Sequence, residues 1–539
     1  MHKRLLTLLF ILILISCASP SGTPAPLPST EPTPENESAE WWRTAIFYEI
    51  FVRSFYDTNA DGIGDFNGIT QKLDYLQSLG ITAIWLMPIH PSPSYHGYDV
   101  INYYAVNTEY GTMDDFKNLL DEAHKRDIRI IIDLVINHTS TEHPWFKDAN
   151  ANPNSPYRDF YVWANEAGVG NWHQGQNGFY YGYFWGGMPD LNYNNPDVTK
   201  AILNITNFWL NEIGIDGFRI DAVKHLIEAD GKVENTPATH EWLKEFYTAY
   251  KTQNPQAYTI GEVFGAGSSV VKLYTGDELD HIFNFEMSSG FVNSTNGGAN
   301  SGIVSAIKFA QQDMPDFNFA TFLTNHDQNR VMSVFNGNVD KAKMASFLML
   351  TSPGTPYIYY GEEIGMQGVK PDEDIRLPMQ WNDDEFAGFS TVQPWRNPYT
   401  NPNKPQFDYT QINVEKQIGD STSLLEHYKT LIQLRKAITT LQTGDMVLLD
   451  ADNSGIYAVL RRDVNGVFLV IANLKDEIVS DYALDLSSAS LAESSYSVET
   501  VYGENQADPL ERSGEAFIYK PFENLHPYAM YVLKLNLNQ

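Results

Sequence analysis

One cysteine, Cys17, stands in a chain of 539 residues, so no disulfide can form within it. Positive charge is scarce as well. The 36 Lys and Arg residues face 67 Asp and Glu, for a net charge of −31, and a chain so acidic repels a phosphate backbone, which argues against nucleic acid as a partner. Long apolar runs are nearly missing. Residues 5–15 form the one such stretch, too short for the roughly 20 residues of a membrane span.

What the chain does have is eight runs rich in β-branched and aromatic residues, at 45–55, 81–89, 129–138, 215–223, 257–264, 281–287, 319–327 and 355–365. They do not alternate cleanly, as expected of strands covered on both faces. Stretches of helical period lie between many of them. Residues 114–126, 198–213 and 240–251 carry apolar side chains at i, i+3, i+4, with Asp114 and Asp197 as expected caps. Eight strands alternating with helices predict a (β/α)8 TIM barrel, an α/β fold whose active residues sit at the C-terminal strand ends. The gap between 138 and 215 is about twice the usual one, so a small inserted domain is predicted there. After a last barrel helix at 423–436, alternating segments at 455–461, 466–472 and 529–535 predict a C-terminal antiparallel β-sandwich.

Three acidic strings close strand runs: Gly217-Phe218-Arg219-Ile220-Asp221, Gly261-Glu262-Val263 and Asn325-His326-Asp327. The barrel would gather their carboxylates at one face. Cleaving a glycosidic bond through an oxocarbenium-like state needs one carboxylate at the ring carbon and one carboxylic acid at the departing oxygen. Arg219, two residues before Asp221 on the same face, is expected to keep it ionised. Glu262 has no cation beside it in sequence and is flanked by Val263 and Phe264, an environment that can keep a carboxyl protonated. The insertion holds twelve aromatics from Tyr157 to Tyr193, where the chain-wide 13% would give about five. They are expected to form its core and to offer some rings as platforms for sugars.

These strings resemble one family. Ile132-Asp133-Leu134-Val135-Ile136-Asn137-His138, Gly217-Phe218-Arg219-Ile220-Asp221-Ala222-Val223-Lys224-His225, Gly261-Glu262-Val263-Phe264 and Phe322-Leu323-Thr324-Asn325-His326-Asp327 are similar, in order and spacing, to the third, fourth, fifth and seventh strand motifs of the α-amylase family of retaining glycoside hydrolases. The resemblance spans residues 41–539. It implies Asp221 as nucleophile, Glu262 as general acid/base and Asp327 as transition-state stabiliser. It further implies a substrate-binding set of Tyr98, His138, Arg219, Lys224, His225, His326 and Arg376, with Tyr98 beneath the sugar ring and Lys224 and His225 on the side that accepts the leaving glucan. The implied substrates are starch, glycogen and maltooligosaccharides, cut at α-1,4 bonds with retention, as an α-amylase does. Met188-Pro189-Asp190-Leu191-Asn192 resembles the string of members intermediate between oligo-1,6-glucosidases and neopullulanases. An oligo-1,6-glucosidase or transglycosylase with the same carboxylates therefore stays open, whereas a sugar-binding lipoprotein of an importer would have no use for them. A catalytically inactive relative would have lost at least one of the three.

Asp57-Thr58-Asn59-Ala60-Asp61-Gly62-Ile63-Gly64-Asp65 spaces oxygen ligands as the start of a calcium loop does. Asp57, Asn59, Asp61, the carbonyl of Ile63 and Asp65 are the expected ligands of a structural Ca²⁺, without the bidentate Glu of an EF-hand, since Gly68 stands at that place. By resemblance, Asn137, Asp190 and the carbonyl of His225 make a second candidate site. No organic cofactor is expected.

At the amino end, Lys3 and Arg4 precede the apolar stretch, and Leu14-Ile15-Ser16-Cys17 resembles a bacterial lipoprotein processing site. The expected organisation is a signal peptide at 1–16, lipid attachment at Cys17, a Pro/Ser/Thr-rich tether at 17–40, the barrel at 41–138 and 197–443, the inserted domain at 139–196 and the sandwich at 444–539. Such a chain is a monomeric cell-envelope lipoprotein, held to a membrane outside the cytoplasm, with α-glucans as its partners. Loss of Lys3 and Arg4 with the leader takes the net charge from −31 to about −33.

Overall fold

Eight short parallel strands form one sheet: β1 (Phe47–Ile50), β2 (Ala83–Leu86), β3 (Arg129–Leu134), β4 (Gly217–Ile220), β5 (Tyr258–Gly261), β6 (His281–Ile282), β7 (Ala320–Thr321) and β8 (Thr355–Tyr359). Their order is β7-β8-β1-β2-β3-β4-β5-β6. A parallel bridge from Phe283 to Ala320 joins the two ends, so the sheet closes into the predicted barrel. The computed structural model describes residues 40–491, 495–511 and 517–538. The leader, Cys17 and the tether up to residue 39 lie outside them. Among the described residues no helix is long and apolar enough to cross a membrane.

Every residue of β1, β2, β4, β5 and β8 is buried, because the strands face side chains of the barrel interior on one side and helices on the other. Gly217 is required where β4 meets β5. A Cβ there would stand 2.0 Å from the carbonyl oxygen of Tyr258, its register partner. The strands are shorter than the apolar runs, which continue into loops that carry the site.

The helices correct three expectations. Thr112 caps the helix Met113–His124 through a reciprocal box with Asp115, and Asn195 caps Pro196–Asn207. Asp114 and Asp197 each sit two residues past the cap, where a carboxylate favours the helix dipole but cannot reach back as a cap. The run at 198–213 is not one α-helix, since Phe208–Ile213 continues it as a π-helical turn. The run at 281–287 is strand only to Ile282; Asn284 then accepts from the Met287 N–H and opens α1 (Phe285–Gly297), which packs against α2 (Ser301–Asp313). A strong cap overrode the apolar pattern there.

Between β3 and β4 the chain forms a three-stranded antiparallel sheet of Trp163–Ala164, Trp172–Gly175 and Gly178–Tyr181. Phe146 packs against Tyr161, Trp163 and Tyr180 as its core, while Phe184 and Trp185 stay exposed. The core role is thus observed for the buried rings, and the exposed ones are free for other contacts. Beyond residue 444 a five-stranded antiparallel sheet faces a three-stranded one, with Leu460, Leu469, Leu484, Tyr519 and Leu533 between them.

Candidate active site

At the C-terminal strand ends lies a cleft of about 540 Å³. Asp221 follows β4 directly, Glu262 follows β5, and Asp327 lies in the loop after β7, so chain direction alone brings the three carboxylates to this face. All three line the cleft, together with Tyr98, His138, Lys224, His225 and Arg376. Two residues of the expected substrate-binding set do not line it. Arg219 is 1% exposed and His326 is fully buried, so both act from behind.

Arg219 is the hub of that hidden layer. Its Nη1 donates to Asp133 Oδ1 and to Asp221 Oδ1, each at 2.6 Å, and its Nη2 donates to Glu262 Oε2 at 2.8 Å. Glu262 therefore does have a cation beside it, which the sequence order conceals. Burial still wins: it pushes the Glu262 carboxyl up to about 7 against the pull of Arg219. Asp133 is likewise raised by burial, to about 6, and also accepts from Trp85 Nε1 at 3.0 Å.

Asp327 has the opposite environment. Burial opposes its ionisation, but His326 and Arg376 hold it well below the usual carboxylate range. Arg376 Nη2 donates to Asp327 Oδ1 at 2.8 Å, and His326 Nε2 lies 3.2 Å from Oδ2. Burial disfavours charge on His326 too, yet Asp327 and Glu49 on either side push it up to about 10. Charged, it donates through Nδ1 to Glu49 Oε1 at 2.5 Å and through Nε2 to the Tyr98 hydroxyl at 2.7 Å. Tyr98 lies parallel to His326, ring centroids 5.7 Å apart, with its ring forming part of the cleft wall. His138 Nε2 is 3.0 Å from the Tyr98 carbonyl, and burial keeps this imidazole below its ordinary value.

Lys224 and His225 form the other wall. Lys224 Nζ donates to the Phe264 carbonyl at 3.0 Å and pairs with Glu234 at 2.6 Å. His225 stacks on Tyr183 at 4.1 Å. Ala222 also lines the cleft, in a left-handed conformation with φ 48°.

Sequence reasoning missed Glu49, Trp85, Asp133 and Asp372, and it named Tyr183 and Phe184 only among the twelve aromatics of the insertion. Asp133 did leave a signal, as a charge inside an apolar strand run. The others are recognisable only once the barrel is closed.

The loop at 57–65 holds the right atoms without gathering them. Asp57 accepts from the N–H groups of Asn59, Ala60 and Gly62, the Asn59 and Asp61 side chains meet at 3.1 Å, and Asp65 caps the helix Phe66–Leu79. Among the described residues no group of three or more His, Cys, Asp or Glu is placed to hold a metal ion. At the second candidate site, Asn137 Oδ1 and Asp190 Oδ2 are buried without a hydrogen-bond partner, and so is Oε1 of the unforeseen Glu228. Burial and the charge of Glu228 raise Asp190 well above the usual range. Two crowded carboxylates and an amide oxygen, all short of partners, suit a hard cation.

The sequence profile described as the alpha amylase catalytic domain matches residues 49–444. The chain is 42% identical over 441 residues to a protein named alpha-amylase 3 from Dictyoglomus thermophilum, covering 80% of this chain and 85% of that one. It is 34% identical over 521 residues to an oligo-1,6-glucosidase from Parageobacillus thermoglucosidasius, covering 81% and 91%. The crystal structure of an alpha-amylase from H. orenii superposes with a TM-score of 0.77 at 36% identity, over 91% of this chain and 99% of that one.

Proposed function

The chain belongs to the α-amylase family of glycoside hydrolases, and from that premise we propose that it cleaves α-1,4-glucosidic bonds of starch, glycogen and maltooligosaccharides with retention. One observation carries the mechanism. Burial raises the Glu262 carboxyl to about 7 while Arg219 holds Asp221 and Glu262 on one guanidinium, which favours the roughly 5 Å carboxyl spacing of retaining enzymes over the wider one of inverting enzymes.

In the first displacement Glu262 gives its proton to the glycosidic oxygen and Asp221 attacks the ring carbon from the opposite face, leaving a β-linked ester. Water, deprotonated by Glu262, then releases the sugar with its original α configuration. Asp327, ionised between His326 and Arg376, stabilises the positive ring and anchors its hydroxyls. Tyr98 supplies the floor.

For linkage, the small Ala222 beside the nucleophile leaves room for a 4-linked aglycone, and a β-branched residue would be strained at its positive φ. Two of the three Lys224 N–H donors are engaged by Phe264 and Glu234, which leaves one for a sugar hydroxyl. Maltopentaose should therefore turn over much faster than isomaltose, and Lys224→Ala should cost about 1–2 kcal/mol in kcat/KM on long α-1,4 chains. Isomaltose cut as fast as maltopentaose would favour the 1,6-glucosidase alternative, which the Met188-Pro189-Asp190-Leu191-Asn192 string keeps in view.

Calcium in the loop at 57–65, and a second cation between Asn137, Asp190 and Glu228, belong to the same proposal, as purely structural ions. So does lipid attachment at Cys17, which would place the enzyme on a membrane of the cell envelope.

A further inference from the structure

On the side where the leaving group departs, the cleft wall does not end at Glu262. The acid must reach the departing oxygen, so the chain that follows it, Val263-Phe264-Gly265-Ala266-Gly267, faces the released end of the substrate. Phe264 lines the catalytic cleft at 55% exposure and lies edge-on to Phe285, ring centroids 5.1 Å apart. Phe285 in turn lines a second cleft, of about 380 Å³, which starts at Gly265 and runs between α1 and α2. The two clefts meet across this phenylalanine pair.

The second cleft has the chemistry of a sugar site. Gly290 of α1 approaches Ala306 of α2 so closely that a Cβ at 290 would lie 3.0 Å from the alanine methyl, leaving a smooth floor. Phe309 stands 50% exposed at the far end. Exposed Ser289, Asn293 and Ser305 edge the floor, and none of their side chains is hydrogen-bonded to another described residue. The one charge, Glu286, accepts from the Ser268 N–H at 2.8 Å. A flat apolar surface with an aromatic at each end and neutral donors along its rim matches the face and edge of a pyranose, and with no cation in its lining it does not match an anion.

We propose that this cleft binds the leaving end of a long α-glucan, with Phe309 as its outer platform. The proposal rests on the glucan-cleaving function above and adds a dependence on chain length. A chain that passes Phe264 and reaches Phe309 gains contacts that a trisaccharide cannot make.

The test compares kcat/KM on amylose and on maltotriose for the parent, Phe309→Ala and Ser289→Trp, the last filling the cleft from its exposed edge, with melting curves showing that each is folded. Both variants should lose on the order of fivefold on amylose and keep the parent value on maltotriose. No loss on amylose, or an equal loss on both substrates, would overturn the distal site and leave glucan cleavage standing. A parent that cuts neither substrate would overturn both.

Discussion

A single arginine holds the reacting groups together. Arg219 bonds Asp133, Asp221 and Glu262 while itself fully enclosed, so the proposed nucleophile and the proposed acid share one rigid support and differ in what else surrounds them. The consequence is a pH dependence with a definite sign. Burial raises the Glu262 carboxyl to about 7, and the acid must be protonated to act, so kcat/KM should fall as pH rises through about 7. A profile flat to pH 9 would contradict that assignment. Stability runs the same way: the folded value lies above the unfolded value of about 4.3, so the contribution of Glu262 is complete below that and lost as pH rises through about 7. Glu262→Gln should thus be inactive yet melt no lower than the parent at pH 8. Glu49 and His326 are 277 residues apart in the chain, and Asp133 and Arg219 are 86 apart. Local strings revealed the carboxylates, but not these partners, which meet only through barrel closure.

The eight strands were legible as elements because burial on both faces leaves a continuous apolar run, and each run contains its strand. Their ends were not. In 281–287 the same apolar composition serves a two-residue strand and then the first turn of α1, and only the Asn284 cap separates them. The loop at 57–65 shows the converse, since its spacing was readable and its conformation was not. Its carboxylates are satisfied by the loop's own N–H groups and by the cap at Asp65. A cation that binds only the folded state stabilises it by mass action, so chelation or Asp61→Ala should lower the melting temperature by a few degrees while activity well below melting changes little. Chelation without a thermal shift, with metal analysis showing none bound, would end the calcium proposal.

Two buried arginines with carbonyl oxygens as partners lie where the barrel meets the C-terminal sandwich, and Arg461 of the sandwich is the one that reaches into the barrel. Arg435 donates to Leu350, Ser352, Gly354 and Leu441, and Arg461 to Thr351, Leu441 and Gly444. Burial lowers them to about 9 and about 10. Nothing in the sequence distinguished these arginines from surface ones. For the molecule in its setting, the net charge of −31 argues against anionic polymers as partners, and the proposed attachment point is Cys17. Changing Cys17 to Ser should move the full-length enzyme from the detergent phase to the aqueous phase on phase partition, and an unchanged partition would mean that no lipid is carried there.

The two-displacement claim is tested most directly by removing the acid and supplying a small nucleophile. On a maltosyl substrate with an activated leaving group, Glu262→Ala still forms the β-linked ester on Asp221, and azide needs no general base to attack it. Azide should restore turnover and give the α-glycosyl azide. A β-glycosyl azide, or release of the β-anomer by the parent enzyme, would contradict retention through Asp221.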